Sequence, residues 1–313
     1  MKHLYVIGNG FDCHHGMSTS YLDFEKWLEE KDSEVLCTIN DLFGYCDKEW
    51  WQFFERNLAT AVTSDIVREE VRENYPDIAS DDFSDGDWFN AEYAVESKLS
   101  EAYDEIRQAF QQWVAELEMG DENKKIELES KDALFLTFNY TPTLEKLYGI
   151  DENNILYIHG KAGTKDELVL GHGASEKEIE KMLEEDYPNY YKTEDDPVFF
   201  EEEGDDLVTQ RAKYAAIDGV YKQRKDVEKI IKDHEKWFAS LNNVTHLYFY
   251  GHSFGDVDLP YFRKILSVVD KKNVQIEVSD YMGENKASID EFMKSEGIKQ
   301  YSIIDLNDKL LKK

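Results

Sequence analysis

The chain has 313 residues, enough for one large domain or two ordinary ones, and 41% of them are hydrophobic, which excludes disorder over most of its length. Its 67 acidic residues outnumber its 36 basic ones and give a net charge of −31, so we expect no direct nucleic-acid binding and no attachment to an anionic membrane. No apolar run reaches the roughly 20 residues of a membrane helix, no signal peptide is evident, and the cysteines lack CxxC spacing, so we expect a cytoplasmic protein.

Short apolar runs rich in β-branched and aromatic residues predict buried strands. In chain order they cover residues 3–7, 133–138, 155–158, 167–170, 244–250, 274–278 and 301–304. Helical patterns cover residues 20–30, 48–74, 87–118, 205–241, 260–270 and 285–296, and a capping box from Ser20 to Asp23 opens the first. Strands that alternate with helices are typical of a parallel α/β sheet.

Long helical stretches interrupt the series of strands. The first separates the first two strands, and the second follows the strand at 167–170. We therefore predict a single α/β domain over residues 1–313, with a Rossmann-like, mostly parallel sheet and helical insertions at about 45–130 and 175–241. The aromatic residues of the insertions are expected in a core or an interface, and the acidic stretch 201–206 in a solvated loop.

Polar, glycine-bearing motifs follow five of the predicted strands. They begin at Gly8, Asn139, His159, Gly171 and Gly251. The carboxyl ends of parallel strands share one edge of the sheet, and α/β proteins bind ligands at that edge. The sequence therefore predicts one crevice where these motifs meet, provided that the strands run in one direction.

The first motif is Gly8-Asn9-Gly10-Phe11-Asp12. Glycine lets the backbone turn sharply and brings N–H groups close to a phosphate, so the motif could cradle a pyrophosphate. A tight turn from strand to helix is the alternative. The dinucleotide fingerprint is incomplete, because Cys13 stands where a third glycine is expected and Asp32 ends a helix, not a strand.

Asn139 and His159 end two neighbouring predicted strands. A carboxamide at the end of a buried strand requires a partner, which could be a ribose hydroxyl, a water or the backbone of a turn. His159 is either a structural histidine or a group that takes a proton near neutral pH. After Asn139, we predict that Thr141 is the N-cap of a helix and that Pro142 is its first residue.

His172 and His252 also lie beside glycines. With Asp12 or Asp256 they could bind a metal, but the spacing matches no common metal motif, and we predict no metal site. Ser253 lies in Gly-His-Ser-Phe-Gly, yet no histidine follows His252, which disfavours a serine-hydrolase triad in that order.

The motif around Ser253 allows other roles. Ser253 could donate a hydrogen bond to a phosphate or a ribose, whereas Asp256 and Asp258 could simply cap the next helix. Glu55 and Glu92, inside the aromatic helices, are further candidate acids.

Four ordered blocks of residues resemble the bacterial phage abortive-infection AbiH family. The matching segments are Val6-Ile7-Gly8-Asn9-Gly10-Phe11-Asp12 with Gly16, Thr19-Ser20-Tyr21 and Phe24; Leu136-Thr137-Phe138-Asn139-Tyr140-Thr141 with Thr143-Leu144-Glu145; His159-Gly160; and Tyr250-Gly251-His252-Ser253-Phe254-Gly255-Asp256-Val257-Asp258. The blocks span nearly the whole chain, which makes the resemblance specific.

The family in turn is distantly similar to sirtuin-like NAD-consuming domains. This similarity implies a sirtuin-like sheet in which the loop from Gly8 to Asp12 and the loop with Gly251, His252, Ser253 and Asp256 bind NAD. It implies that Asn139 contacts the nicotinamide ribose or its water and that His159 is the general base. Asn9 and Phe11-Asp12 depart from the small residues of the sirtuin loop, and three scattered cysteines cannot form a four-cysteine zinc module, so protein deacetylation is not expected.

The resemblance implies an anti-phage protein of the abortive-infection type. We predict an NAD-cleaving hydrolase, with NAD as substrate and no metal, that a phage protein triggers and that forms a homo-oligomer. A non-catalytic nucleotide sensor that docks a partner is the alternative, and a metal-dependent phosphoesterase or nuclease is a third.

Overall fold

The computed structural model describes residues 2–129, 131–165, 168–186 and 206–311. The strands are β1 (Lys2–Ile7), β2 (Ala133–Thr137), β3 (Ile155–Tyr157), β4 (Val244–Tyr250), β5 (Gln275–Ser279) and β6 (Ser302–Ile304). The helices are α1 (Asn9–His14), α2 (Tyr21–Lys31), α3 (Ser33–Phe43), α4 (Lys48–Gln52), α5 (Phe54–Asn57), α6 (Ser64–Glu73), α7 (Asn90–Glu116), α8 (Thr143–Tyr148), α9 (Glu176–Asp186), α10 (Leu207–Tyr221), α11 (Val227–Asp233), α12 (Glu235–Ala239), α13 (Leu259–Val268) and α14 (Lys286–Ser295).

The chain divides into two compact units. The sheet unit comprises residues 1–24, 111–169 and 226–313, and the helical unit comprises residues 25–110 and 170–225. The helical unit is formed by two excursions from the sheet, so the predicted helical insertions are present. The single-domain organisation stays a prediction.

All strands of the sheet unit are parallel, in the order β3-β2-β1-β4-β5-β6. This order is that of a Rossmann-like doubly wound sheet, and the direction of winding reverses between β1 and β4. The predicted α/β fold is confirmed.

Apolar side chains of β1 pack on both faces of the sheet. Leu4 and Val6 belong to one hydrophobic cluster, which includes Phe249 and Phe262. Tyr5 and Ile7 belong to another, on the other face of the strand. A strand covered on both faces is apolar at nearly every position, which is why short apolar runs predicted the strands.

The region predicted as the strand 167–170 is different. Glu167 lies outside the described residues, and residues 168–170 form no strand. The Val169 N–H donates to the His159 carbonyl at 2.9 Å, and the Tyr140 hydroxyl donates to the Val169 carbonyl at 2.9 Å. A loop and a side chain thus satisfy the backbone that a neighbouring strand would otherwise satisfy.

Two long predicted helices are broken in the structure. The pattern at 48–74 forms α4, α5 and α6, because the backbone leaves helical geometry at Phe53 and again at residues 60–63, which include the β-branched residues Val62 and Thr63. The pattern at 205–241 forms α10, α11 and α12, and most of the acidic stretch 201–206 lies outside the described residues. Ser20 and Asp23 form the predicted capping box, with Ser20 N to Asp23 Oδ2 and Asp23 N to Ser20 Oγ both at 3.3 Å.

The helical unit has its own aromatic core. Trp51 and Phe54 are fully buried and stack with their ring centroids 5.4 Å apart, as expected for aromatic residues in a core. Phe53 and Tyr93 are exposed, and their place in an interface stays a prediction. Among the helices that the structure describes, none combines the length and the apolar character that a membrane crossing demands.

Candidate functional site at the sheet edge

The carboxyl ends of four strands lie side by side. Ile7 pairs with Thr137 on one side and with Tyr250 on the other, and Thr137 pairs with Tyr157. The residues that follow these positions therefore leave the sheet at the same edge. They include Gly8, Asn139, His159 and Gly251, all in the sheet unit.

The glycines of the first motif pack against the loop after β4. Gly8 N donates to the Tyr250 carbonyl at 2.9 Å, and Gly10 N donates to the Gly251 carbonyl at 2.8 Å. A Cβ on Gly8 or Gly10 would lie within 3.0 Å of backbone atoms of Gly251 or His252. These two amides thus join the start of α1 to the loop after β4, and their contact with a pyrophosphate stays a prediction.

Asn9 and Phe11 have partners inside the protein. Asn9 Nδ2 donates to the Thr19 carbonyl at 2.8 Å. Phe11 is fully buried, with its ring 4.6 Å from that of His15 and 5.8 Å from that of Tyr148. Both residues hold α1 in place at the sheet edge.

Asp12 is a buried carboxyl group at the centre of the site. It is 1% exposed, and it accepts a hydrogen bond from the Thr141 hydroxyl, which lies 3.1 Å from the Thr143 hydroxyl. Burial raises the pKa of Asp12 to about 6, although the hydrogen bond from Thr141 and the nearby polar side chains of Thr143 and Asn139 favour the charged form. Asp12 therefore changes its charge close to neutral pH.

Thr141 does not cap the next helix as predicted. Helix α8 begins at Thr143, with Pro142 as its N-cap. The Thr141 hydroxyl is committed to Asp12, which satisfies a buried carboxylate that would otherwise be very costly.

Asn139 is 6% exposed, and its backbone N–H donates to the Thr137 hydroxyl at 3.1 Å. Within the described residues, neither Oδ1 nor Nδ2 of its side chain meets the geometry of a hydrogen bond. The carboxamide lies near Asp12 and lowers the pKa of this carboxyl group. Such a carboxamide costs about 1–3 kcal/mol of stability and calls for an explanation.

His159 and His252 lie on either side of Asp258. Both residues are buried, at 2% and 6% exposure. Asp258 Oδ1 is 3.9 Å from His159 Nε2, and Asp258 Oδ2 is 3.3 Å from His252 Nε2. The sequence suggested a capping role for Asp258, but its side chain makes no cap hydrogen bond at the start of α13.

The exposed part of this loop holds Ser253 and Asp256. Gly251 has a φ of +70°, and its N–H donates to the Ser279 hydroxyl at 2.8 Å, which ties this loop to the end of β5. Contacts of Ser253 and Asp256 with a ligand stay predictions.

His172, Glu55 and Glu92 belong to the helical unit. His172 is fully buried; it accepts from Ala174 N at 3.1 Å through Nδ1 and donates to the Val220 carbonyl at 2.9 Å through Nε2. Glu55 pairs with the buried Lys225, and Glu92 lies 3.2 Å from Arg211. These interactions are internal to the helical unit, and the predicted strand that was to carry the His172 motif to the sheet edge is absent from residues 168–170.

A cavity of about 130 Å³ opens beside Thr141. Its lining includes Met17, Pro142, Ala162 and Gly163. The volume can hold several waters but is well below the roughly 300 Å³ of a typical small-molecule site. Within the described residues, no group of three or more histidine, cysteine, aspartate or glutamate side chains is arranged to bind a metal ion.

Sequence reasoning missed two residues of the site. The sequence predicted capping roles for Asp258 and Thr141, but not the contacts of Asp258 with the two histidines or of Thr141 with Asp12. A polar residue that follows a strand and precedes a helix can either cap the helix or take part in a site at the sheet edge. The local sequence favours the cap. Only the tertiary structure, which brings distant strand ends together, shows which of these two roles the side chain has.

The fold and the site define an α/β protein with a Rossmann-like sheet and a buried polar cluster where the winding of the sheet reverses. Residues 4–280 match the family Bacteriophage abortive infection AbiH, and the chain belongs to this family. The resemblance seen in the sequence is thus confirmed, and the family supports a role in anti-phage abortive infection. No curated protein matches the sequence.

Proposed function

We propose that this protein is an abortive-infection effector that hydrolyses NAD at the sheet edge. The observation that carries the proposal is the Asn139 carboxamide. It is buried beside Asp12, and within the described residues it lacks a hydrogen-bond partner. A ribose hydroxyl or the attacking water would give this side chain the partners that the protein does not provide.

His159 supplies the proton acceptor. The bond between nicotinamide N1 and ribose C1′ breaks, and its electron pair leaves with nicotinamide. Water attacks C1′, and its proton passes to the His159 imidazole and then to solvent, which leaves ADP-ribose. Asn139 holds the ribose or the water, and carboxylates near the site favour the positive charge that develops on the ribose.

Burial of the catalytic side chains has a consequence for this reaction. His159 is 2% and Asn139 is 6% exposed, so the protein covers both side chains almost completely. NAD can enter only after the surrounding loops move. An effector that stays silent until a phage protein binds would have this property, which supports a triggered enzyme.

The test is nicotinamide release from NAD by the full-length protein, alone and with phage lysates or single phage proteins. We expect release by the wild type after the trigger, and a loss of at least about 100-fold for His159→Ala and for Asn139→Ala. His246→Ala is the matched control, because His246 lies in β4 away from the carboxyl edge of the sheet.

Two results would contradict the proposal. Equal release by the wild type and by His159→Ala under every trigger would exclude catalysis at His159. Thermal stabilisation by NAD without nicotinamide release would instead support a nucleotide sensor.

A further inference from the structure

A chain of contacts leads from the backbone of the β4 loop to His159. Its first link is the Phe254 N–H, which donates to His252 Nδ1 at 2.9 Å. Because Nδ1 accepts this hydrogen bond, the ring proton of neutral His252 resides on Nε2. Nε2 lies 3.3 Å from Asp258 Oδ2, so His252 directs its proton at this oxygen.

The second oxygen of Asp258 faces His159. The distance from Oδ1 to His159 Nε2 is 3.9 Å. Three aromatic rings also surround His159, those of Phe138, Tyr140 and Tyr261, with centroids 5.2, 6.3 and 5.9 Å from the imidazole. Two of these carry phenol groups, which are uncharged at neutral pH, so Asp258 contributes the negative charge that faces the ring.

Asp258 does not use its side chain to cap helix α13. It is the N-cap residue of α13, where an aspartate commonly accepts a hydrogen bond from the first turn of the helix. Its side chain makes no such bond. The carboxylate is directed to the two histidines instead.

We propose that Asp258, held by His252, is the positioning residue of His159. The carboxylate fixes the orientation of the imidazole and stabilises the imidazolium that forms when His159 takes the proton of the attacking water. The catalytic part of this inference rests on the proposed function, whereas the effect of Asp258 on the proton affinity of His159 does not.

The first measurement is a histidine-detected NMR titration of the full-length protein without NAD. The signal of His159 is assigned by its absence in His159→Ala. In Asp258→Asn, which keeps the shape but removes the charge, we expect the pKa of His159 to fall by at least about one unit. Asp258→Glu restores the charge and should bring the pKa back toward the wild-type value.

Two further variants complete this experiment. Asp258→Ser removes the charge but places a favourable N-cap residue at the start of α13, so it tests the inference even if Asp258→Asn does not fold. Glu291→Gln, on the exposed face of α14, removes the same charge from the surface and should leave the titration of His159 unchanged.

The second measurement is the pH profile of kcat/KM for nicotinamide release. A lower pKa of His159 moves the acidic limb of the profile to lower pH in Asp258→Asn, and the plateau falls because the imidazole is a weaker base. A purely structural role would lower the rate by the same factor at every pH.

The outcomes separate the two proposals. If the wild type releases nicotinamide but the pKa of His159 is equal in the wild type and in both charge-removing variants, the role of Asp258 is wrong and the proposed function stands. If no trigger elicits nicotinamide release but the pKa falls as expected, the proposed function is wrong and the coupling of Asp258 to His159 stands.

Discussion

At the scale of single residues, the site contains buried polar groups that lower the stability of the fold and that a purely structural core would avoid. Asp12 is a carboxyl group buried at 1% exposure, and Asn139 is a buried carboxamide without a hydrogen-bond partner in the described part of the chain. Apolar residues of similar size would remove both costs. Their presence at the edge where the winding of the sheet reverses supports the proposed ligand site.

Asp12 makes the stability of the protein depend on pH. Burial raises its pKa from 3.8 to about 6, so between these values the folded protein binds more protons than the unfolded chain. This group therefore lowers the free energy of unfolding as the pH rises from about 4 to 6, by about 3 kcal/mol in total.

Asp12→Asn should remove this decrease in the free energy of unfolding with rising pH. The amide oxygen can still accept the Thr141 hydroxyl, but no charge has to be buried. We expect the variant to be more stable than the wild type at about pH 7.5, by about 2 kcal/mol, and equally stable or less stable at about pH 4. Urea unfolding across this range measures both effects.

Glu291→Gln controls for the loss of one negative charge, because this side chain is exposed on α14. A wild type that is more stable than Asp12→Asn at the upper end of the range would show that the charged form of Asp12 is well solvated or paired.

At the scale of elements, the start of α1 and the loop after β4 are packed backbone against backbone at the sheet edge. Gly8 and Gly10, after β1, meet Gly251, after β4, and hydrogen bonds join the two segments in both places. The sequence predicted a phosphate cradle or a tight turn for these glycines. The structure adds a third reason for them, the close approach of another loop, which no local pattern reveals.

Gly251→Ala should disrupt this packing. A Cβ at this position would overlap Phe11 N and Gly10 C, and the φ of +70° is itself unfavourable for alanine. Backbone atoms cannot move aside as a flexible side chain can, so we expect a loss of at least about 3 kcal/mol or failure to fold.

Gly297→Ala separates the effect of a positive φ from the effect of the close backbone packing. Gly297 has a φ of +72°, but nothing lies within 4 Å of the Cβ that alanine would add. This variant should lose only about 1 kcal/mol in thermal or urea unfolding. Similar losses in the two variants would mean that backbone conformation, not loop packing, requires glycine at position 251.

At the scale of the whole molecule, the net charge of −31 is the dominant electrostatic feature. Ion pairs such as Lys98 with Glu69 and Lys222 with Glu96 offset it locally, but these pairs are largely exposed. Exposed pairs contribute little to the stability of the fold, whereas the excess acidic groups repel one another throughout the folded state.

Salt should therefore stabilise the protein. Raising the salt concentration from about 20 to about 300 mM screens the net repulsion more than it weakens the ion pairs, so we expect Tm to rise by about 2–5 °C. Differential scanning calorimetry measures the shift. Sodium chloride and choline chloride should act alike if screening is the cause, and a fall in Tm would show that the ion pairs dominate.

The sequence by itself predicted the six strands of the sheet, their mostly parallel arrangement and the positions of the polar strand ends. In a parallel sheet covered on both faces each strand is a short, nearly continuous apolar run, and this signal is local. The sequence-based prediction was wrong at residues 168–170, where a loop and the Tyr140 hydroxyl make the hydrogen bonds of the Val169 backbone. It was also wrong at 48–74, where one periodic pattern forms three helices.

Only the tertiary structure decided which polar side chains act together. Thr141 and Asp12 are 129 residues apart in the chain, and Asp258 joins histidines from two different strand ends. The capping propensity of threonine and aspartate is a local property, but a buried carboxylate or imidazole gains more from a partner than a helix gains from a cap. The order in which the strands pair decides which side chains become neighbours. This pairing depends on contacts between distant parts of the chain, which no short stretch of sequence contains.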